Sequence, residues 1–200
     1  MLTLLSPAKK LNMDYVETAV PHSQPRLGDD TRELASLAKL QTVDDLKRLM
    51  HISNQLATRN FERFQSFNLD NKSNNAKPAG FAFDGDVYWG LEADTLSDDT
   101  LSYAQDHLRI LSGLYGVLRP MDVIQPYRLE MGTKMVNGRG QSLYDFWGTR
   151  IADRLNDDLT GHPDATIVNL ASNEYYKAVD AKALRRNVIR AKFLNVKDNE

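Results

Sequence analysis

The 200-residue sequence contains no cysteine, and its histidines are few and widely separated. The absence of cysteine excludes disulfides, thiolate metal sites and cysteine nucleophiles. No two histidines share the spacing of a metal site, so we expect no bound metal, and direct iron binding is disfavoured. The four histidines are His22, His51, His107 and His162.

Long hydrophobic runs and common active-site motifs are also missing. The apolar run at the N-terminus, Leu2 to Leu5, is too short for a signal peptide or a membrane span. We therefore expect a cytoplasmic protein with no membrane contact. The phosphate motifs G-x-x-x-x-G-K-[ST] and G-x-G-x-x-G do not occur, nor does the nucleophile motif G-x-S-x-G. The motifs thus indicate no cofactor and favour a protein that is not an enzyme.

The chain carries no large excess of either charge, with 25 basic and 27 acidic residues and a net charge of -2. The charges are unevenly distributed, however. Residues 84–106 hold seven acids and no lysine or arginine, whereas residues 109–139 hold five bases and two acids. Residues 177–197 hold seven bases and one acid. A nearly neutral protein with this pattern can still present a basic face.

The order of the elements predicts a single α/β domain, of the mixed or α+β kind, spanning residues 1–200. Strands and helices mix without the strict alternation of a doubly wound sheet, and the length is that of one core. We predict strands at residues 2–5, 165–171 and 187–196, a strand and hairpin at 126–136, and helices at 31–40, 42–64, 97–113, from 142 onward, and 172–184.

The stretch "HLRILSGLYGVLRPMDVIQPYRLEMG" is the densest in candidate binding residues. A helix ending at Gly113, followed by a tight turn and Gly116, resembles the hairpin of a helix-hairpin-helix motif, in which backbone N–H groups approach phosphate. Arg109 and Arg119 flank the turn. The alternative is a glycine helix cap followed by a buried turn, and Pro120 favours it because no long helix can follow directly.

Two further groups of polar residues are candidates for binding or catalysis. Lys9 and Lys10 in "SPAKK" follow the first strand, where they either hold an anion or belong to a solvated loop. Glu130 and Glu174 each lie beside aromatic and basic residues, so they can form a pair for general acid–base chemistry. Such pairs are common, so the pattern alone is weak evidence for an enzyme.

Five blocks of sequence, in order, resemble the YaaA family of bacterial peroxide-stress proteins. They are "LSPAK", "GDVYWGL", the central stretch quoted above, "LYDFWG" and "VNLASNEYYKAV", and they are distributed over nearly the whole chain. The resemblance implies a cytoplasmic protein of the oxidative-stress response that limits free iron. It also implies a compact α/β domain with mixed sheet, surrounding helices and a basic crevice, and DNA binding through a helix-hairpin-helix-like element. It implies no established enzyme activity.

The resemblance also assigns residues. The matching positions are Lys9, Arg109, Arg119, Arg128, Glu130, Asn169, Ser172 and Glu174. We expect the four bases to line the crevice of a monomer that contacts DNA mainly at phosphates, in duplex that is regular or locally unpaired. The alternative is an enzyme acting on a nucleotide or other anionic small molecule, with Lys9 and Arg128 holding the anion and Glu130 or Glu174 as acid or base. Family members continue past residue 200 with a strand and a basic helix, which we expect this chain to lack.

Overall fold

The computed structural model describes residues 1–70 and 75–191. The strands in this part are β1 (Leu2–Leu5), β2 (Lys10–Leu11), β3 (Lys77–Pro78), β4 (Phe83–Asp84), β5 (Leu108–Ser112), β6 (Gly116–Leu118), β7 (Val123–Ile124), β8 (Ile167–Asn169) and β9 (Val188–Arg190). The α-helices are α1 (Gly28–Lys39), α2 (Val43–Met50), α3 (Asn54–Ser66), α4 (Ala79–Ala82), α5 (Asp86–Leu91), α6 (Asp98–His107), α7 (Leu143–Trp147), α8 (Arg150–Asp158) and α9 (Asn173–Tyr176). A short 3-10 helix covers Ala93–Thr95.

Five strands form a mixed sheet in the order β6-β5-β1-β8-β9. β5, β1, β8 and β9 are parallel, and β6 pairs with β5 in the antiparallel direction. Leu4 in β1 lies opposite Arg109 on one side and Asn169 on the other. The mixed α/β fold predicted from the order of elements is thus confirmed.

β1 is the middle strand, and its sequence suits that position, since three of its four residues are leucines and all three are buried. The chain leaves β1, forms helices α1–α6, and returns beside β1 as β5; it later returns on the other side of β1 as β8. The strand order therefore reverses at β1. In open α/β sheets, the crevice outside the carboxyl ends of the strands at such a point is where ligands bind.

One large hydrophobic core surrounds the sheet, with Trp147, Tyr115 and Phe64 among its largest fully buried side chains. The polar atoms of these aromatics have partners. The Trp147 indole donates to the Gly113 carbonyl oxygen at 3.1 Å, and the Tyr115 hydroxyl accepts from the Gln125 N–H at 3.0 Å. Buried polar groups without partners would destabilise the core.

The long helix predicted over residues 42–64 is wrong, because the chain forms two helices there. Thr42 and Asp45 have the spacing that predicts a capping box. The box is present, since the Thr42 hydroxyl and the Asp45 carboxylate each accept a hydrogen bond from the other's backbone N–H. However, His51 adopts the left-handed conformation with a φ of 52°, which ends α2. Ser53 then caps α3 by accepting from the Leu56 N–H.

The helix predicted over residues 97–113 also ends early, at His107. The next five residues, Leu108–Ser112, form β5, whose apolar side chains are buried beside β1. The turn at residues 113–115 therefore joins two strands as a β-hairpin, and no helix ends at Gly113. The turn that we compared with a helix-hairpin-helix motif is flanked by strands.

Three other predictions need correction or lie partly outside the structure. Residues 126–136 form no strand of the described sheets; only an isolated bridge joins Asn137 to Gly140. The helix predicted over 172–184 stops at Tyr176. The last predicted strand is present at Val188–Arg190, and its residues from 192 onward lie outside the described part of the chain.

Candidate functional site

Gly113 allows a second backbone to cross the end of β5. A Cβ atom at this position would lie 2.2 Å from the Leu129 carbonyl oxygen, which no side chain can tolerate. Glycine therefore lets the segment around Leu129 pass directly against the turn. This crossing carries Arg128 and Glu130 to the neighbourhood of the residues that follow β1.

Asn60 on α3 fixes the same segment from the other side. Its side-chain amide donates to the Arg128 carbonyl oxygen at 2.8 Å, and its side-chain oxygen accepts from the Arg128 N–H at 2.9 Å. Asn60 is fully buried. The two bonds replace the pairing that a neighbouring strand would supply, so Arg128 is held in one position relative to α3.

Glu130 joins two of the predicted bases. One of its carboxylate oxygens lies 2.7 Å from an Arg128 guanidinium nitrogen and 3.4 Å from the Lys9 ammonium. Lys9 follows the carboxyl end of β1 and is 68% exposed, whereas Arg128 and Glu130 are largely buried. Two cations thus share one carboxylate at the predicted crevice, which leaves a local excess of positive charge.

Two arginines that the sequence analysis did not select add to this charge. Arg59 and Arg63 lie one turn apart on α3, on either side of Asn60. Burial, and after it the nearby charges of Arg59 and Arg128, lower the pKa of the Arg63 guanidinium from its ordinary value. In the part of the chain that the structure describes, neither Arg59 nor Arg63 forms an ion pair. We call Arg59, Arg63 and Arg128 the arginine cluster.

The predicted carboxylate pair lines one pocket beside this cluster. The pocket has a volume of about 330 Å³, and Glu130 and Glu174 face it together with Arg48, His51 and Lys134. Glu174 accepts a hydrogen bond from the Gly132 N–H at 2.9 Å. Acids and bases therefore meet in a pocket whose size suits a small molecule.

The other predicted site residues, Asn169 and Ser172, form hydrogen bonds that hold the backbone between β8 and α9. The Asn169 side-chain oxygen accepts from the Ala171 N–H at 3.0 Å. The Ser172 N–H donates to the Ser6 hydroxyl at 2.9 Å, which ties the start of α9 to the residue after β1. These contacts position Glu174, and neither residue is in the lining of the 330 Å³ pocket.

The remaining predicted bases lie elsewhere. Arg109 is buried and donates to the Asp158 carboxylate at 2.6 Å. Arg119 forms an ion pair with Asp122 at 2.7 Å. Lys10 pairs with Asp84 at 2.6 Å. Of the four bases expected to line one crevice, the structure brings Lys9 and Arg128 together and places Arg109 and Arg119 on separate carboxylates.

The predicted turn glycines lie in the interior. Leu114 and Tyr115, between Gly113 and Gly116, have no exposed surface, and the Tyr115 N–H donates to the Ser112 hydroxyl at 3.0 Å. Gly116 has a φ of +69°, and a Cβ atom there would lie 2.7 Å from the Trp147 ring. Gly113 and Gly116 thus allow the backbone of the turn and the close packing of neighbouring segments against it.

Within residues 1–70 and 75–191, no group of three His, Cys, Asp or Glu side chains is placed to hold a metal ion. No helix in the same ranges combines the length and the apolar character that crossing a bilayer requires.

The fold and the site together define a mixed α/β protein with a pocket that both bases and acids line. The chain belongs to the family described as peroxide stress protein YaaA, which it matches over residues 1–200. Similar proteins include UPF0246 proteins of Phenylobacterium zucineum (51% identity), Saccharophagus degradans (50%) and Caulobacter vibrioides (52%). Each match covers all of this chain and, respectively, 74%, 78% and 78% of the relative.

Proposed function

We propose that this protein binds DNA during peroxide stress and that its contacts are mainly to phosphates. The observation that carries the proposal is the arginine cluster, in which Arg63 lies near both Arg59 and Arg128. Within residues 1–70 and 75–191, neither Arg59 nor Arg63 is paired with a carboxylate. Like charges held together by the fold are costly unless an anion neutralises them. Phosphates of a nucleic-acid backbone supply a row of such anions, and arginine binds them with paired donors.

The exposed ammonium of Lys9 extends the cluster at the carboxyl end of β1. Because Glu130 holds Lys9 and Arg128 in place, both cations are positioned before the ligand arrives, which reduces the entropy cost of binding. Contacts to phosphates carry no information about the bases, so we expect the affinity to depend little on the DNA sequence. We assign Arg109 a role in stabilising the fold and no direct contact with DNA, because it is buried and paired with Asp158.

The test compares matched arginine variants over a series of salt concentrations. The affinity of the full-length protein for duplex DNA and for duplex with an unpaired segment is measured by fluorescence anisotropy. Arg59→Ala and Arg63→Ala should each weaken binding to all sequences similarly and lower the slope of log K against log salt by about 1 per lost phosphate contact. Arg32→Ala is the control, since Arg32 is an exposed helical arginine already paired with Asp29.

Three results would contradict the proposal. The first is no binding to DNA at all, and the second is binding that does not depend on salt. The third is an equal loss of affinity in the Arg32 control, which would mean that net charge matters and the arginine cluster does not.

We also propose, from the family to which the chain belongs, that the protein limits intracellular free iron and so protects DNA from oxidation. The measurement is the free-iron level and DNA damage of peroxide-treated cells that carry the wild-type gene, the Arg59→Ala/Arg63→Ala variant or no gene. A variant that restores normal iron but leaves DNA damaged would separate the two roles. We expect the protein to act in the cytoplasm as a monomer.

A second candidate function is favoured by the pocket beside the cluster. Glu130 and Glu174 face the same 330 Å³ space as Arg48 and Lys134, an arrangement that phosphate binding alone does not require. The candidate is an enzyme acting on a nucleotide or other anionic small molecule, with one carboxylate as acid or base. A thermal-shift screen of nucleotides and sugar phosphates tests it: Glu174→Gln should keep a stabilising ligand bound while stopping its turnover, and a screen without any stabilising ligand would argue against it.

A further inference from the structure

A second cavity, of about 310 Å³, shares no residue with the pocket of Glu130 and Glu174. Its walls come from the loop after β2, from β3 and β4, and from α5. Aromatic side chains line it, with Trp89 62% exposed at the surface and Tyr88 buried. The volume lies at the lower end of the range for small-molecule sites.

Lys77 is the unusual residue of this cavity. It is only 8% exposed, although lysine is rarely buried without a partner. Across residues 1–70 and 75–191, its ammonium forms neither an ion pair nor a hydrogen bond. In the same ranges, two side-chain atoms are both closed off from solvent and without a hydrogen-bond partner, namely Nε of Arg128 and Nε of Arg186. The Lys77 Nζ is not one of these two atoms. Since it has no partner in these ranges, it must be in contact with solvent, which reaches it through the cavity.

Three carboxylates also line the cavity, but none is close enough to pair with Lys77. Asp84 is already held by Lys10 at 2.6 Å and by the Trp89 indole N–H at 2.6 Å. Asp14 and Asp94 lie in the same lining. Burial lowers the pKa of Lys77, and this effect is larger than the opposing influence of the three carboxylates.

We propose that Lys77 is a nucleophilic amine and that the cavity takes a small, uncharged, hydroxylated aldehyde or ketone, which Lys77 binds as a Schiff base. An amine in an incompletely hydrated site is more often neutral, and the neutral form is the nucleophile. The nearby carboxylates disfavour an anionic ligand and can accept hydrogen bonds from its hydroxyl groups. Because no group of residues 1–70 and 75–191 pairs with the Lys77 amine, the lone pair of its neutral form is accessible from the cavity.

The chemistry needs no oxidant or reductant. The lone pair of the neutral Lys77 amine attacks the carbonyl carbon, the C=O π pair moves to oxygen, and proton exchange with solvent gives a neutral carbinolamine. The nitrogen lone pair then forms the C=N bond as the protonated hydroxyl leaves as water. One water is released for each Schiff base, and hydrolysis reverses the reaction.

The experiment traps the Schiff base on the folded protein. Glyceraldehyde is added with cyanoborohydride at neutral pH, and the reduced adduct on each lysine is measured over time by peptide mass spectrometry. We expect Lys77 to be modified faster than the exposed Lys47 and Lys134. The preference should disappear when the same reaction is run on protein unfolded in urea, because it depends on the cavity.

A variant and a second probe complete the test. Lys77→Met should remove this adduct and leave the rates at Lys47 and Lys134 unchanged. Glyoxylate, an aldehyde with a carboxylate, should show a smaller preference for Lys77 than glyceraldehyde does. Modification of Lys77 in the folded protein at or below the rate of the exposed lysines would overturn the proposal, as would an equal preference with both probes. Neither result bears on DNA binding.

Discussion

Replacing Asp158 by alanine should destabilise the protein by about 3–5 kcal/mol, because it leaves a buried arginine without its carboxylate. Asp158 accepts hydrogen bonds from the Nε atoms of Arg109, at 2.6 Å, and Arg154, at 2.8 Å, and it also pairs with Arg26. The side chains of Asp158 and Arg109 are 1% and 3% exposed. Arg26 and Arg154 are more exposed, so they can turn to water, and the cost arises mainly from Arg109.

The measurement is the free energy of unfolding in denaturant, followed by circular dichroism. The double variant Arg109→Met/Asp158→Leu is the matched control, since an apolar pair leaves no buried charge and should recover most of the loss. A cost below about 1 kcal/mol for the alanine variant would refute the reasoning. A double variant as unstable as the single one would also refute it, because the stability would then not depend on the unpaired charge.

The remaining predictions concern acid stability and the two residues that hold Arg128. Burial raises the pKa of Asp158, but the charges of the three arginines bring it below 3.8. The contribution of Asp158 to the stability of the fold is therefore present above about pH 4 and is lost as the pH falls further. In pH-dependent unfolding, the Asp158→Ala variant should lose less stability on acidification than the wild type. Asn60→Ala should cost about 2 kcal/mol, one for each lost hydrogen bond, and should weaken DNA binding in the anisotropy assay. Gly113→Ala should cost about 3 kcal/mol or more by thermal unfolding, because its Cβ atom would clash with backbone, whereas Gly90→Ala, with open space around it, should not destabilise.

Some features of the fold were predictable because their causes are local. The buried strand at Leu2–Leu5 is a short apolar run, and Thr42 with Asp45 forms the capping box that their spacing predicts. The mixed α/β class follows from the order of such local patterns along the chain. The family was also predictable, since its sequence blocks are distributed over nearly the whole chain.

The helix boundaries within residues 42–64 and 97–113 were not predictable from periodicity. Apolar residues continue at helical spacing across His51. That residue nevertheless adopts the left-handed backbone conformation, which ends α2. Leu108–Ser112 continues an apolar pattern from α6, but pairing with β1 and β6 makes it a strand. Such pairings join residues far apart in sequence, and tertiary contacts override local propensity.

The sequence alone determined the class of fold, the cap of α2 at Thr42 and the family, all of which depend on short-range patterns of residue types. The tertiary structure alone decided which charges meet. It placed Arg109 on Asp158 and brought Arg63 beside Arg128. It also put Lys77 in a cavity where, within the described residues 1–70 and 75–191, its ammonium has no partner. The physical reason is that the energy of a charge depends on burial and on neighbours within a few ångströms, and those neighbours are set by chain crossings such as the one at Gly113.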